Sequence, residues 1–198
     1  IENCKSDSKK IDVILSGCKF STDIFKRAFW YDGPILEVGT PRCDLFFHDV
    51  ESTKKKVYQY YDIPLNKKLL LYAPTFRSNK PSDFLGMDFK RLKEVLGNNW
   101  VVGARLHPNV LASIAPEGAV PMSQYSDMQE LIAASDILLT DFSSCMFDMA
   151  IAGKICVLYT PDLEEYLAKE RGVYFDIREL PFPIARSMEE LNLSLIHI

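Results

Sequence analysis

The sequence contains few of the patterns that build metal sites, disulfide frameworks, membrane spans or nucleic-acid surfaces. Its five cysteines are scattered without a CxxC pair, and none of its three histidines is spaced near a cysteine pair. This usage argues against the common zinc motifs and is typical of reduced thiols in a cytoplasmic protein. No apolar run reaches the length of a membrane span. A net charge of −4 argues against nucleic-acid binding, which usually requires a basic surface.

The sequence does contain the alternation of an α/β protein. With 198 residues, 47% of them hydrophobic and 25% charged, it is long enough for one large or two small globular domains. Strands are predicted at 11–15, 35–38, 69–72, 100–103, 137–140 and 155–159. Helices are predicted after a cap at 21–23, and at 52–61, 84–96, 126–134 and 163–169, the fourth of these capped by Ser126. This alternation predicts parallel strands with helices on both faces of the sheet.

The segment 138–148 combines a buried strand, a polar turn and the start of a helix. Asp141, Ser143 and Ser144 lie in that turn. A helix start directs free backbone N–H groups towards an anion, and serine hydroxyls add further donors, so the segment predicts a phosphate or diphosphate site. The alternative is that Asp141 or Ser143 only caps the helix.

Polar side chains also follow three other predicted strands. Arg42 follows the second strand, Thr75 and Arg77 follow the third, and Arg105 and His107 follow the fourth. In open α/β sheets ligands bind outside the carboxyl ends of the strands, so these residues are predicted to converge with the 138–148 segment on one crevice. The alternatives are a surface ion pair for Arg42 and a structural role for His107.

Together these segments resemble the signature motifs of a known family, the CDP-glycerol glycerophosphotransferases. These enzymes are the teichoic acid primases and polymerases of Gram-positive bacteria. The matching motifs are Gly39-x-Pro41-Arg42-x-Asp44, the run YAPTFR at 72–77, Arg105-x-His107-Pro108, the run TDFSSCMFD at 140–148, and a later run RGVYFD at 171–176. The resemblance extends over about residues 12–183, and several motifs in one order are far more specific than any single match.

The resemblance implies a GT-B type α/β fold, which consists of two Rossmann-like domains. Residues 1–50 are then expected to be the tail of the N-terminal, acceptor-side domain. Residues 51–192 are expected to be the C-terminal nucleotide-binding domain, a Rossmann-like parallel sheet with helices on both faces, incomplete at its end. Residues 193–198 match the translation of an adapter used in DNA sequencing, and they are expected not to belong to the natural protein.

The activity implied by the resemblance is transfer of glycerol phosphate from CDP-glycerol to a hydroxyl of a lipid-linked or polymeric acceptor in teichoic acid biosynthesis, with release of CMP. The family's Trp-His-Gly-Thr-Pro motif, whose histidine is a candidate general base, has no counterpart here. It is expected to lie upstream of Ile1, and the chain is therefore expected to be inactive alone. No cofactor and no metal are expected.

The resemblance also implies roles for individual residues. Arg105 and His107 are expected to act as catalytic groups on the diphosphate, and Ser143 and Ser144 to donate hydrogen bonds to it. Asp148 is expected to accept a hydrogen bond from a ribose or glycerol hydroxyl. The remaining expected substrate-binding residues are Arg42, which approaches from the first domain, and Pro74, Thr75 and Arg77.

The expected partners are CDP-glycerol and a lipid-linked teichoic acid precursor. The family's acceptors imply a cytoplasmic protein held peripherally on the inner face of the bacterial cell membrane, with no nucleic-acid partner. Lys54, Lys55 and Lys56 lie on the predicted exposed side of one helix and are candidates for contact with anionic lipid. A solvated run of charges is the alternative, and it is the more common case.

Several functional alternatives stay open at the level of sequence, because a fold does not decide a function. The donor alternative is CDP-ribitol. Another GT-B sugar-nucleotide enzyme, such as a UDP-sugar epimerase or a glycosyltransferase, is a second reading. An inactive nucleotide-binding module is a third. The sequence does not distinguish a primase from a polymerase.

Overall fold

The computed structural model describes residues 2–77, 86–106, 116–170 and 172–197. The contacts divide the chain into two compact units, an N-terminal unit Ile1–Asp44 and a C-terminal unit Leu45–Ile198. The domain bounds expected from the sequence stay predictions. His107 and Arg171, which belong to two of the motifs, lie outside the described residues.

The N-terminal unit contains two short parallel strands and two helices. In chain order its elements are α1 (Glu2–Ser8), β1 (Ile14–Ser16), α2 (Lys19–Ala28) and β2 (Ile35–Glu37), followed by a 3-10 helix (Pro41–Phe47) that continues past the end of the unit. Strand β1 pairs with β2 in parallel, with Ile14 opposite Ile35 and Ser16 opposite Glu37. The parallel pairing agrees with the α/β prediction.

The predicted cap at 21–23 is wrong, because helix α2 begins earlier. Cys18 occupies its N-cap position, and its side chain makes no capping hydrogen bond. Thr22 instead lies within the helix, with its Oγ1 atom 2.8 Å from Ser16 Oγ and 2.9 Å from Glu37 Oε2. A buried threonine that links the helix to both strands stabilises the earlier start.

The C-terminal unit is built on a six-stranded, entirely parallel sheet in the order β5-β4-β3-β6-β7-β8. Its strands are β3 (Lys68–Tyr72), β4 (Trp100–Ala104), β5 (Val120–Pro121), β6 (Ile137–Thr140), β7 (Ile155–Tyr159) and β8 (Ile184–Ala185). Its helices are α3 (Val50–Tyr60), α4 (Phe89–Leu96), α5 (Met128–Ala134), α6 (Cys145–Ile151), α7 (Leu163–Lys169), a 3-10 helix (Ile177–Glu179) and α8 (Met188–Ile196).

Both faces of this sheet are buried, which explains why its central strands are continuous apolar runs. Because successive side chains of a strand point to opposite faces, Leu69 and Leu71 join one core and Leu70 and Tyr72 join the other. Helices α3, α5, α6 and α7 contribute to the first core, and α4 and α8 contribute to the second. The predicted parallel sheet with helices on both faces is confirmed.

Helix α5 begins two residues later than predicted. Its N-cap is Asp127, not Ser126, and the Asp127 carboxylate accepts hydrogen bonds from the Gln129 N–H at 2.8 Å and the Glu130 N–H at 3.1 Å. An acceptor that satisfies two free amides at once is a stronger cap than the predicted serine.

Helix α8 runs through most of the segment that the sequence analysis assigned to an adapter. Leu191 and Leu195 of this helix are buried in the second core. Within the described ranges, no helix combines the length and the apolar character needed to cross a membrane.

Candidate functional site

The carboxyl ends of β3 and β6 form the centre of the C-terminal unit's sheet edge. The chain proceeds from β3 outward to β4 and β5, and then returns to place β6 on the other side of β3. Such a reversal of strand order leaves a crevice between the two neighbouring strand ends, and ligands of open α/β sheets bind there. Two predicted site segments, 73–77 and 140–148, follow these two strands.

Asp141 joins the two strand ends. Its side chain is 1% exposed, and its Oδ1 atom accepts hydrogen bonds from the Thr75 N–H at 2.8 Å, the Thr75 hydroxyl at 2.5 Å and the Phe142 N–H at 2.7 Å. Nearby, the Thr140 hydroxyl donates to the Ala73 carbonyl at 2.7 Å. Asp141 therefore fixes the loops after β3 and β6 relative to each other, and it does not act as the cap of α6.

Arg77 connects this pair of loops to the end of β7. Its Nε and Nη2 atoms bind the Asp162 carboxylate at 2.8 and 3.2 Å. The Nη2 atom also lies 2.9 Å from Asp141 Oδ2, and Nη1 donates to the Thr75 carbonyl at 2.8 Å. Burial alone lowers the pKa of Arg77, but the two carboxylates outweigh it and raise the pKa above its usual value. The positive charge of the guanidinium is thus balanced by carboxylates inside the protein.

An aromatic pair covers the same guanidinium. The rings of Phe142 and Tyr166 stack with centroids 3.9 Å apart and planes 7° apart. The Arg77 guanidinium carbon lies 4.5 Å from the Tyr166 centroid and 5.4 Å from that of Phe142, within cation–π range. With its carboxylate partners and this cover, Arg77 is 5% exposed. The arrangement favours a positioning role for Arg77, and direct contact with substrate stays a prediction.

Sequence reasoning did not include Asp162 in the site. The residue follows β7 and occupies the N-cap position of α7, yet its carboxylate makes no capping bond and binds Arg77 instead. The sequence did contain a signal for Asp162: it is an acidic residue just after a predicted strand. Asp141 and Thr75 follow their own strands in the same way.

Ser143 and Ser144 lie at the start of α6, and their hydroxyls contribute little to capping this helix. The Ser143 hydroxyl accepts from the Cys145 N–H at 3.4 Å, which is long for a hydrogen bond. Ser144 occupies the N-cap position, makes no side-chain capping bond and is exposed. The two alternatives for this segment were a phosphate site and a helix cap. Among the two serines, only the weak Ser143 contact supports the helix cap.

Arg105 follows β4, the neighbour of β3 on the other side from β6. The residue is half-buried, and its Nη1 atom donates to the Tyr125 carbonyl at 2.5 Å. The Leu106 N–H donates to the Ser123 hydroxyl at 3.0 Å, which holds the segment that leads to His107. Burial lowers the pKa of Arg105 from its usual value. A partly desolvated cation at a strand end suits an anionic ligand.

The other predicted site residues lie in three different environments. Asp148 is 4% exposed and accepts a hydrogen bond from Gln129 Nε2 at 3.2 Å, between α6 and α5. Pro74 is half-buried beside Thr75. Arg42 is exposed on the 3-10 helix that follows β2 and belongs to the N-terminal unit. In the part of the chain that the structure describes, no three His, Cys, Asp or Glu side chains are grouped to hold a metal ion.

Comparison with known proteins identifies a matching family and several relatives of this chain. The model of the family described as CDP-Glycerol:Poly(glycerophosphate) glycerophosphotransferase matches residues 1–198. Teichoic acid poly(glycerol phosphate) polymerase of Bacillus subtilis (strain 168) is 36% identical over 200 residues, which cover 95% of this chain and 27% of that protein. Teichoic acid glycerol-phosphate transferase of Staphylococcus aureus (strain NCTC 8325 / PS 47) is 33% identical over 199 residues, which cover 94% of this chain and 51% of that protein.

A solved structure gives the same result for the fold. It is that of a variant of the wall teichoic acid polymerase TagF soaked with CDPG, with a TM-score of 0.87 and 31% sequence identity. The match covers 98% of this chain and 51% of that one, so this chain spans about half the length of the solved chain. It confirms the predicted GT-B type α/β fold. The chain belongs to the CDP-glycerol:poly(glycerophosphate) glycerophosphotransferase family, as its ordered strand-end motifs indicated.

Proposed function

We propose that this chain provides the donor-binding part of an enzyme that transfers glycerol phosphate from CDP-glycerol to a hydroxyl of a lipid-linked or polymeric teichoic acid acceptor. One structural observation carries the proposal. Arg105, a half-buried cation that donates to the Tyr125 carbonyl, lies at the end of the strand next to β3, beside the β3/β6 crevice. Membership of the family supplies the chemical class of the ligand.

The reaction requires placed hydrogen-bond donors more than covalent chemistry. An acceptor oxygen bonds to the glycerol-bearing phosphorus, the bond from that phosphorus to the CMP oxygen breaks, and the acceptor hydroxyl loses its proton. Negative charge is spread over the phosphoryl oxygens in the transition state, and fixed donors stabilise it. We assign this role to Arg105, His107, Ser143 and Ser144.

The remaining groups are assigned to placement of the donor. Thr75 and Pro74 line the β3 side of the crevice in this proposal, and Arg42 stays a predicted substrate-binding residue. Asp148 accepts from a ribose or glycerol hydroxyl in this proposal, although its bond with Gln129 favours a structural role. No cofactor is required. The base that removes the acceptor proton is assigned to the family's histidine motif, so the chain alone binds donor without turning it over.

Nucleotide selectivity tests the proposal directly. Titration calorimetry of the chain with CDP-glycerol, CDP-ribitol and a UDP-sugar is expected to give the tightest binding for CDP-glycerol. Tighter binding of the UDP-sugar would favour another GT-B sugar-nucleotide enzyme. Turnover is measured as CMP release by a protein that carries this chain together with the segments of its longer relatives. CDP-glycerol binding without acceptor-dependent CMP release in that protein would identify an inactive nucleotide-binding module.

Replacing both Ser143 and Ser144 by Ala is expected to weaken CDP-glycerol binding while leaving the melting temperature nearly unchanged. Loss of a donor to a charged phosphate costs roughly 1.5–3 kcal/mol of binding, whereas loss of a helix cap costs about 1 kcal/mol of stability and little affinity. Calorimetry and thermal melting of the double variant separate the two effects.

Ser187 provides the matched control. Its hydroxyl accepts from the Glu190 N–H at 3.2 Å as the cap of α8, so Ser187→Ala is expected to lower the melting temperature and leave affinity unchanged. If the Ser143/Ser144 variant behaves like Ser187→Ala, the two serines are structural.

Peripheral attachment to the inner face of the bacterial membrane is part of the proposal, since a lipid-linked acceptor has to be reached. The lysine run on α3 gives it little support. Lys54 is not on an exposed side as predicted: its side chain is 23% exposed and its Nζ atom lies 3.6 Å from Asp136 Oδ1. Lys56 pairs with the Glu130 carboxylate at 2.7 Å. Internal pairing reduces the charge available to anionic lipid.

Changing Lys54, Lys55 and Lys56 together to Gln is therefore expected to leave liposome binding unchanged. The measurement is co-sedimentation with vesicles that contain anionic lipid, compared with neutral vesicles. A clear loss of sedimentation in the triple variant on anionic vesicles would instead assign the run to the membrane surface, at about 1 kcal/mol for each lysine.

A further inference from the structure

Tyr125 attaches the Arg105 guanidinium to the loop that follows β5. Arg105 Nη1 donates to the Tyr125 carbonyl at 2.5 Å. The backbones of the two segments are joined as well, because the Met122 N–H donates to the Ala104 carbonyl at 2.8 Å. The loop after β5 therefore runs beside the segment after β4, and the position of the Tyr125 carbonyl sets the direction of the Arg105 side chain.

The Tyr125 side chain is held at its far end. It is 6% exposed, and its hydroxyl donates to the carboxylate of Glu130 on α5. Its ring meets those of Tyr60 and Tyr61 at the end of α3, with centroids 5.2 and 6.0 Å away. Burial raises the pKa of Tyr125 above its usual value, so the phenol keeps its proton at neutral pH and stays a donor. The ring contacts and this bond together restrain the backbone carbonyl that binds Arg105.

The Glu130 carboxylate is fixed from a second direction. Lys56 Nζ on α3 lies 2.7 Å from its Oε1 atom and 2.8 Å from its Oε2 atom. The Glu130 side chain is 18% exposed, and the hydrogen bonds from Lys56 and Tyr125 lower its pKa, which keeps it ionised at neutral pH. An ionised acceptor makes a stronger hydrogen bond than a neutral one. Glu130 is thus a fixed attachment point for Tyr125.

These contacts form one continuous chain from α3 to the end of β4. Lys56 pairs with Glu130, Glu130 accepts from the Tyr125 hydroxyl, and the Tyr125 carbonyl accepts from Arg105. The Lys56–Glu130 pair alone already joins α3 to α5. The added bond to Tyr125 connects that pair to the cation that the proposed function places on the donor.

We propose that Glu130 is a positioning residue: through the Tyr125 hydroxyl it fixes the carbonyl that orients the Arg105 guanidinium towards the diphosphate, and it does not contact the donor itself. An arginine has a long, flexible stem, and ordering it before the ligand arrives removes a cost from binding. Its planar fork of N–H groups suits phosphoryl oxygens only in the right orientation. The inference rests on the proposed function, which assigns Arg105 to the diphosphate.

The test is Tyr125→Phe in the full chain, titrated with CDP-glycerol and separately with inorganic pyrophosphate. This change keeps the ring and the carbonyl and deletes only the link to Glu130. Binding of both probes is expected to weaken by about threefold to tenfold. In an Arg105→Met background the same change is expected to cause no further loss, because the link acts through Arg105. A purely structural role would not produce this dependence on Arg105.

Glu130→Leu and Glu130→Gln test the other end of the same link. Glu130→Leu removes the acceptor and is expected to weaken binding of both probes as Tyr125→Phe does, again only where Arg105 is present. Glu130→Gln keeps an oxygen that accepts from Tyr125, so it is expected to recover most of the affinity lost in Glu130→Leu. Equal losses in the Leu and Gln variants would contradict a role through the Tyr125 bond.

Tyr58→Phe is the matched control, since the Tyr58 hydroxyl donates to the Lys67 carbonyl at 3.1 Å and Tyr58 belongs to the same core as Tyr125. It is expected to lower the melting temperature and leave both affinities unchanged. If Tyr125→Phe gives that same result, Glu130 is structural and the inference is wrong, while binding of CDP-glycerol leaves the proposed function standing. Equal losses of affinity with and without Arg105 would also overturn the inference.

The two probes separate the inference from the proposed function. If the unaltered chain binds pyrophosphate but not CDP-glycerol, and the loss in Tyr125→Phe still depends on Arg105, the positioning role stands and the proposed function is wrong. If the unaltered chain binds neither probe, both are wrong.

Discussion

Replacing Arg77 by Met is expected to destabilise the C-terminal unit by about 3–5 kcal/mol. Arg77 is 5% exposed and pairs with Asp141, whose side chain is 1% exposed, and with Asp162, whose side chain is 15% exposed. Removal of the shared cation leaves two carboxylates close together in a poorly solvated place. The methionine retains much of the side-chain volume, so the lost charge and its hydrogen bonds account for most of the change.

Urea denaturation of the unaltered chain and the variant measures this free energy. Arg178→Met is the matched control, because Arg178 pairs with Asp176 at 2.7 Å while 55% and 37% of the two side chains are exposed. Exposed pairs contribute about 0–1 kcal/mol. If the two variants lose the same small amount of stability, the Arg77 pair is no stronger than a surface contact, and its positioning role is wrong.

The central strands were predictable because burial on both faces requires long apolar runs. Strands β3, β6 and β7 were recognised close to their observed bounds for this reason. Strands β5 and β8 were missed, since each has only two residues. The second residue of β5 is Pro121, which is tolerated at the edge of a sheet but gives no strand signal in a sequence.

Helix starts were less predictable, because several residues compete for one cap. Ser126 and Asp127 are adjacent and both are good N-caps, so a sequence alone does not choose between them. At α2 the decision depends on Thr22, whose contact with Glu37 spans 15 residues of sequence. Such tertiary contacts override the local pattern.

The sequence placed several candidate residues at strand ends but did not reveal how they pair, and their part in a substrate site stays a prediction. Strand ends placed Thr75, Arg77 and Ser143 at one edge of the sheet, as the parallel topology requires. The sequence did not reveal that Arg77 is neutralised by Asp162, which lies 85 residues away. Arg77 and Arg105 both lie in motifs that match the family. The structure is needed to distinguish the buried, paired Arg77 from the half-buried Arg105.

Replacing Arg105 by Met is expected to weaken CDP-glycerol binding by about 2–5 kcal/mol, a factor of roughly 30 or more. Its charge is partly desolvated, which strengthens its attraction to a diphosphate. Within the described part of the chain no carboxylate forms an ion pair with it, although the Asp127 charge contributes a weaker attraction. Among the residues that the structure describes, its guanidinium donates a hydrogen bond to the Tyr125 carbonyl and to no other group. Stability is therefore expected to change little, which is the opposite of the result expected for Arg77→Met.

Calorimetry with CDP-glycerol and urea denaturation on the same samples give both quantities. Arg105→Lys keeps the charge but loses the planar fork of donors, and its affinity is expected to lie between those of the unaltered chain and Arg105→Met. Arg91 on α4 is exposed, and Arg91→Met controls for the loss of one positive charge, with affinity expected to stay within a factor of about two. If Arg105→Met binds CDP-glycerol as tightly as Arg91→Met does, Arg105 does not contact the donor. Removal of a half-buried cation that contacted the diphosphate would weaken binding, because the phosphoryl oxygens would lose the charged donor supplied by Arg105.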